Sequence, residues 1–487
     1  MDKLPDQPIT TVVAIKGKLR FPHGYCSGAG EGDTFSDHPL RRNLDGEPEL
    51  EGKSIAGALY HHLRQNYPGR QPIIDLLFGR DDKSLSSPLQ VEHLRPTNAA
   101  PGEPGNLRDG VNLRRDRDSA RSGRKYDYET SVRGLEMVLR LRLELRRDCP
   151  HRDELLQLLA TLLRDLEAGR CRFGGRTGVG FGQVSVNELQ ARQIDLPAQF
   201  PAYLLSPDPA ADTAGEFSPF PGEDITLLKP ETETLTAALS CRITAAHPLL
   251  IQDGGRTEAP VVKTPDNKNE TETDAWPVTL REVCGNQVEV ITGPGTRGLL
   301  RTRCEKILRS LRKEACDPGA SACEETIKQE IKTLAANDPD YQDKRKRIIN
   351  AHSCPTCRIF GNRYRRGRVT CSDTVVDGSS RKLLFSVPLN RFTGGPGNLF
   401  NRLPLLKGDF TLKIEARNLG GEETTLLLLA LRDLADNESI PLRFGGGRRH
   451  GYGRVSTKTV AINDENAALT ELLTEENRKQ EWENFLE

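Results

Sequence analysis

Apolar and polar residues alternate along Thr11–Ile15 and again through Lys18–Phe21, the period-two pattern of a half-buried strand. The pattern returns at Leu135–Leu145, Leu239–Thr244 and Asp409–Ala416. Two segments change period. Asp153–Gly169 and Glu423–Leu434 place apolar residues at i, i+3 and i+4, which predicts amphipathic helices. Each helix is followed by a glycine-rich phrase and a closing strand. The first phrase is Phe173-Gly174-Gly175-Arg176-Thr177-Gly178-Val179-Gly180-Phe181-Gly182-Gln183-Val184. The second is Phe444-Gly445-Gly446-Gly447-Arg448-Arg449-His450-Gly451-Tyr452-Gly453-Arg454-Val455. Both read F-G-G-x-x-x-x-G-[FY]-G-x-V over twelve residues, with an arginine at the fourth position of the first and at the fifth of the second. A phrase of that length at equivalent places means a duplicated domain.

Other landmarks repeat in the same order. A glycine turn opens a helix at Gly52-Lys53-Ser54-Ile55-Ala56-Gly57 and at Gly293-Pro294-Gly295-Thr296-Arg297-Gly298. Free N–H groups at such a turn suit a phosphate, although the G-K-[ST] ending of a P-loop is missing. Leu77-Phe78-Gly79 and Ile359-Phe360-Gly361 follow, each leading into a short strand. A basic excursion then precedes the long second strand in each half. The order is strand, helix, strand, excursion, strand, helix, glycine loop, strand. This predicts an α+β fold of two tandem ferredoxin-like (RRM-like, β-α-β-β-α-β) units with insertions. The glycine phrase is not a dinucleotide fingerprint, because it follows a helix and leads into a strand. The expected boundaries are 8–190 for the first domain, a Pro-, Ala- and acid-rich linker at 191–235, and 236–463 for the second domain. A charged helical insertion is expected within 304–358 and an acidic C-terminal helix at 464–487. Residues 264–276 read as a polar loop.

Net charge is zero over 487 residues, which argues weakly against a nucleic-acid partner. The distribution reverses that reading. Basic residues dominate 108–125, 297–313 and 344–368, while acids gather at 210–235, 266–274 and 463–487. A neutral total can thus hide basic surfaces that track a phosphate backbone. No run approaches the roughly 18–20 apolar residues of a membrane span. The N-terminal residues show no basic region followed by an apolar stretch, so a cytoplasmic protein is expected. Its 11 cysteines are then thiols or metal ligands rather than a disulfide framework. Cys354-Pro355-Thr356-Cys357 is a C-x-x-C knuckle, with Cys316, Cys323 and His352 upstream. Four thiolates, or three with His352, would make a closed tetrahedral structural Zn²⁺ site; a redox pair is the other reading.

The two glycine phrases, the G-x-x-x-x-G helix openers and the L/I-F-G triplets together resemble the RAMP superfamily of CRISPR-associated proteins, twice over and across nearly the whole chain. In detail the chain looks like the backbone subunit of type III effector complexes, fused head to tail as in type III-D-like variants. The resemblance implies a subunit that binds crRNA and holds the guide–target duplex, with a thumb-like hairpin in each copy. It implies target RNA, other RAMP backbone subunits, a large polymerase/cyclase-like subunit and a small subunit as partners. It also implies a zinc-binding insertion near the C-x-x-C knuckle. RNA contacts are expected at Lys53, Ser54, Arg114, Arg115, Arg117, Arg176, Arg297, Arg391, Phe392, Arg448 and Arg449.

The resemblance further implies a Mg²⁺-dependent endoribonuclease that cuts target RNA with an acidic loop residue near the thumb. The family pattern D-x-P-[VIL]-x-[RK] fits Asp37-His38-Pro39-Leu40-Arg41-Arg42, with Asp33 as the alternative. In the second copy Thr257-Glu258-Ala259-Pro260 puts Glu258 at that position, with Asp253 as the alternative. A carboxylate there can hold a metal-bound water or help activate a ribose 2′-OH. Two other functions stay open. One is a purely structural backbone subunit. The other is a guide-processing ribonuclease that takes one of His23, His38, His61, His62 or His247 as its base.

Overall fold

The computed structural model describes residues 8–30, 36–79, 86–98, 102, 104–115, 119–147, 149–212, 214–254, 260–264, 267–317, 321–335, 338, 340–435 and 442–464. The first half runs through β1 (Ile9–Phe21), α1 (Gly52–Asn66), α2 (Gln71–Leu77), β2 (Leu89–Val91), β3 (Asn106–Leu113), β4 (Ala120–Thr130), β5 (Leu135–Arg146), α3 (Arg152–Glu167) and β6 (Ser185–Asp195). The second runs through β7 (Thr234–Ile243), α4 (Gly293–Ser310), α5 (Ala322–Thr333), α6 (Tyr341–Ala351), α7 (Pro355–Phe360) and β8 (Val369–Cys371). It finishes with β9 (Leu384–Ser386), β10 (Phe400–Arg402), β11 (Leu405–Arg417), α8 (Gly421–Ala435) and β12 (Val455–Asp464). Each half is thus a mixed α+β unit.

The main sheets have matching antiparallel orders, β2-β5-β1-β6 and β8-β11-β7-β12. Alternation decides which face is buried. Val13, Ile15 and Leu19 of β1 share a core with Leu139, Leu141 and Leu143 of β5. Helices α1 and α3 contribute Ile55, Leu59, Leu155 and Leu159 to that core. In the second half Leu239 and Cys241 join Leu412 and Ile414, covered by Leu300, Cys304, Leu427 and Leu431. Each fully buried leucine of this kind is worth about 1.5–3 kcal/mol.

The segment expected to link the halves is more ordered than its composition suggests. β6 continues to Asp195, a short helix spans Phe200–Leu205, and the remainder is strapped along the first half. Ile225, Leu227 and Leu228 pack on the first core, and Leu228 N–H donates to Thr161 Oγ1 at 3.1 Å. A few apolar residues in a Pro- and acid-rich stretch are enough to dock it. The 264–276 loop also carries structure, with a strand at Asn267–Glu272 paired to Val261–Thr264. The C-terminal helix expected over 464–487 lies outside the described residues apart from Asp464, which ends β12.

Hairpin β3–β4 of the first half reaches across to the second. Arg108 forms a bidentate pair with Asp373, both buried. Asn106 Nδ2 donates to Arg281 O at 3.0 Å, and its Oδ1 accepts from Arg281 N–H at 2.7 Å. Arg115 donates to Glu305 at 2.7 Å and Arg121 to Asp317 at 2.7 Å. The corresponding element of the second half, β9–β10, stands free of such contacts among the described residues and carries Arg391 and Phe392 at its tip, with Phe392 98 % exposed.

Candidate nucleic-acid interface

The two glycine phrases fold into the same hydrogen-bonded frame. In the first, Phe173 N–H donates to Gly182 O at 2.8 Å, Gly182 N–H to Gly24 O at 2.9 Å and Gly175 N–H to Cys26 O at 2.6 Å. In the second, Phe444 N–H donates to Gly453 O at 2.8 Å, Gly453 N–H to Pro248 O at 2.8 Å and Gly446 N–H to Leu250 O at 2.7 Å. Each loop therefore rests on the chain leaving the central strand. Glycine is required where the frame closes. Gly182 has φ +74° and a Cβ there would lie 1.8 Å from Phe173 O; Gly453 has φ +83° and 2.0 Å to Phe444 O. Gly453→Ala is expected to cost at least the about 1–3 kcal/mol of a strained left-handed residue plus the clash. A thermal melt that matches wild type would show that the loop does not hold this conformation.

The first loop faces a basic groove between the halves. A cavity of about 550 Å³ is lined by Gly174–Val179, Arg297, Arg301, Phe360, Asn362, Arg365 and Arg366, with no acidic residue in its lining among the described residues. Burial pushes the guanidinium pKa of Arg366 down, as do Arg172 and Arg417; burial and then Arg368 do the same at Arg365. Arg365 is half-buried and Arg366 exposed, and their hydrogen bonds go to the neutral oxygens Asn350 Oδ1, at 2.7 Å, and Thr177 Oγ1, so like charges gathered here favour an anion. Not every arginine here is available to one. Arg297 donates to the carbonyls of Val369 and Phe360, and Arg301 donates to Glu305 Oε1 and Gly361 O, both at 3.0 Å. Arg176, with φ +53°, lies 4.0 Å above the Tyr128 ring and donates to Tyr126 Oη at 3.2 Å, tying the loop to β4.

The other expected RNA contacts are scattered. Lys53 is 81 % exposed beside Glu51, and Ser54 is exposed one position on. Arg115 is held by Glu305, and Arg114 sits at the end of hairpin β3–β4. Arg117 lies outside the described residues. Arg448 and Arg449 belong to the second glycine loop, and Arg449 is exposed. The helix openers serve packing. A Cβ on Gly52 would lie 2.3 Å from Val91 O, and one on Gly293 2.2 Å from Cys371 O. The Gly293 N–H, read from sequence as a phosphate seat, instead donates to Asp373 Oδ1 at 2.7 Å.

The loop acids resolve into distinct environments. Asp37 is exposed and pairs with Asp127 of β4: Asp37 N–H donates to Asp127 Oδ1 at 2.7 Å, and Asp127 N–H to Asp37 Oδ2 at 2.9 Å. Asp33 and Glu258 lie outside the described residues. Asp253 is buried, 6 % exposed, with its N–H donating to Trp276 O at 2.9 Å. The sequence reading passed over Asp274. It is exposed and forms the same reciprocal pair with Asn401: Asp274 N–H donates to Asn401 Oδ1 at 2.7 Å, and Asn401 N–H to Asp274 Oδ2 at 2.7 Å. The signal was present as Asp274-Ala275-Trp276-Pro277-Val278, a D-x-x-P-V variant of the D-x-P pattern.

Of the candidate histidine bases, His38 is exposed beside Asp37, whereas others are engaged or neutral. His62 Nε2 lies 2.8 Å from Asp165 Oδ2 inside the first core. Burial, then Arg133, lowers the His23 pKa to about 4, which keeps that ring neutral.

The cysteine set is complete without histidine. The Sγ atoms of Cys316, Cys323, Cys354 and Cys357 all lie within 4.8 Å of one another and are buried. Zinc bound about 2.3 Å from four sulfurs sets them about 3.8 Å apart, so the cluster fits a structural metal such as zinc. A thiolate is the form a metal binds, and Cys316 Sγ lies 3.0 Å from Cys323 Sγ. His352, the other expected ligand, is turned to Glu330, with Nε2 2.8 Å from Oε1.

The RAMP superfamily matches residues 17–185 and 243–456. The chain belongs to that superfamily, and the match falls on both halves. Among solved structures, a chain of the type III-B Cmr-beta complex in its apo state aligns at 12 % identity and a TM-score of 0.29, covering 36 % of this chain and 96 % of its own length. A chain of the Cmr-beta complex bound to cognate target RNA aligns at 11 % identity and a TM-score of 0.30, with the same coverage. No curated protein matches. Among the described residues, no helix is long and apolar enough to cross a membrane.

Proposed function

We propose that the chain is a crRNA-binding backbone subunit of a type III CRISPR effector, with two ferredoxin-like palms fused head to tail in the type III-D-like manner. The matching strand orders and the repeated glycine frame support the two palms. The observation that carries RNA binding is the acid-free arginine groove between the first glycine loop and the second half. A groove of this kind reads the phosphate backbone and leaves sequence to the guide. Hairpins β3–β4 and β9–β10 are the thumbs. The exposed Phe392 is suited to stacking on an unpaired base. The Arg365→Ala, Arg366→Ala double variant is expected to weaken guide binding and to flatten its salt dependence by about 1.4 in log–log slope, at about 0.7 per lost single-strand phosphate contact. An unchanged slope would remove the groove from the RNA path.

The chain also cuts target RNA, with Asp37 as the acting carboxylate of the first half. Asp37 is exposed, and Asp127 fixes one of its oxygens. Two carboxylates at one place are hard oxygen donors that suit Mg²⁺ completed by phosphate and water. When bound, Mg²⁺ supplies charge neutralisation at the phosphate undergoing displacement. Asp37 accepts the proton of the attacking ribose 2′-OH. Asp37→Asn keeps an oxygen for Asp127 N–H and removes the base, so one cleavage product is expected to fall about 100-fold while target binding holds. Undiminished cleavage at every position would leave the chain as a structural backbone subunit.

A further inference from the structure

Resting on that reading, we infer that Asp274 is the cleaving carboxylate of the second half, so that one chain cuts target RNA at two positions. The hydrogen bonds of the two halves correspond atom for atom around the two acids. Before each acid, the loop is held to its return limb twice: Ala29 N–H to Pro39 O at 3.1 Å and Arg41 N–H to Ser27 O at 2.8 Å, against Asp253 N–H to Trp276 O at 2.9 Å and Val278 N–H to Ile251 O at 2.8 Å. After each acid, the chain is held to the thumb: Glu129 N–H to His38 O at 2.9 Å, against Leu403 N–H to Ala275 O at 2.8 Å. This register sets Asp274 on Asp37 and Asn401 on Asp127.

The same register sets Asp253 on Ala29, a position with no acid in the first half. Asp253 is also buried, and the β3–β4 hairpin crosses beside it, with Lys125 Nζ donating to Gly254 O at 3.4 Å. Asp274 is exposed, and one of its oxygens is fixed by a backbone N–H of β10, as Asp37 is fixed by β4. The two sites differ in one respect. Asp127 gives the first a second carboxylate, whereas Asn401 gives the second a neutral amide.

The step is the same at both acids. The ribose 2′-oxygen bonds to the adjacent phosphorus, and its proton passes to the carboxylate. The phosphorus–5′-oxygen bond breaks, and the 5′-oxygen leaves as a hydroxyl by taking a proton from water. The products are a 2′,3′-cyclic phosphate and a 5′-OH end, with no external oxidant or reductant.

The test uses the full complex assembled on its guide RNA with an end-labelled complementary target and Mg²⁺. Wild type is expected to yield two product ends. Asp37→Asn removes one and Asp274→Asn the other, each by about 100-fold, and the double variant removes both with target binding intact. Asn at 274 keeps an oxygen for Asn401 N–H, so the loop is retained. If wild type cuts but Asp274→Asn leaves both products, or if Asp253→Asn removes the second, the inference is overturned while cleavage by the first half stands. If wild type does not cut, cleavage by either half is overturned.

Discussion

Asp373→Asn is expected to lower the unfolding free energy by about 3–5 kcal/mol, the usual cost of removing one partner of a buried ion pair. The Asp373 carboxylate is buried, accepts from Nη1 and Nη2 of Arg108, and accepts from Gly293 N–H at 2.7 Å. Removing its charge strands Arg108 inside the contact between the halves. The double change Arg108→Met, Asp373→Leu is expected to be milder than either single one, because no buried charge is left unpaired. Urea midpoints of the three variants check this; a single variant within about 0.5 kcal/mol of wild type, the range of ordinary surface changes, would contradict it. A pH dependence follows with a definite sign. Burial alone would raise the Asp373 pKa, but the Arg108 charge and its hydrogen bonds, with Gly293 N–H, hold it below the ordinary value. The stabilisation is therefore complete above the unfolded carboxylate value of about 3.9 and is lost as pH falls through the folded pKa.

Cys357→Ser is expected to empty the four-cysteine cluster and release the segment it closes. Purified wild type should carry one zinc per chain, and the variant none. Metal binding is worth an apparent 10–16 kcal/mol, roughly, in small zinc domains, against which the Arg121–Asp317 pair and a small apolar cluster are the weaker ties on this insertion. That apolar cluster is Ile327 and Ile349 with the cysteines themselves, and Ile331, Ile348 and Tyr364 pack against it. Limited proteolysis is then expected to cut between 311 and 353 in the variant, or in wild type treated with a chelator, while both sheet cores stay intact. Chain that is free of zinc as purified and equally resistant to protease would contradict the metal assignment.

The duplication was legible because it rests on backbone. Gly182 and Gly453 need positive φ and tolerate no Cβ, so the phrase around them keeps its letters in both copies. Period-two and helical patterns set the strands and helices to within a few residues, since burial of one face dictates them. The second loop acid was harder. A one-residue shift separates Asp274 from the D-x-P spacing, and the acid ends a run of polar residues that reads as a plain loop. Backbone pairing with Ile251 and Asp253 and the contact with Asn401, 127 residues further on, reveal its place. The fate of the arginines was equally hidden. Arg115 and Arg297 look like RNA contacts in a basic stretch, yet Glu305 and two backbone carbonyls hold them. Sequence separation conceals such partners, because long-range pairing depends on how the two halves meet.

The most direct test of the central claim is photochemical crosslinking of a thiouridine-substituted guide RNA in the assembled complex, with the crosslinked peptides identified by mass spectrometry. Crosslinks are expected in both glycine loops, at 174–180 and 445–451, and on Arg365–Arg366. Crosslinks confined to other surfaces of the chain, or none to it, would contradict a guide-binding backbone subunit.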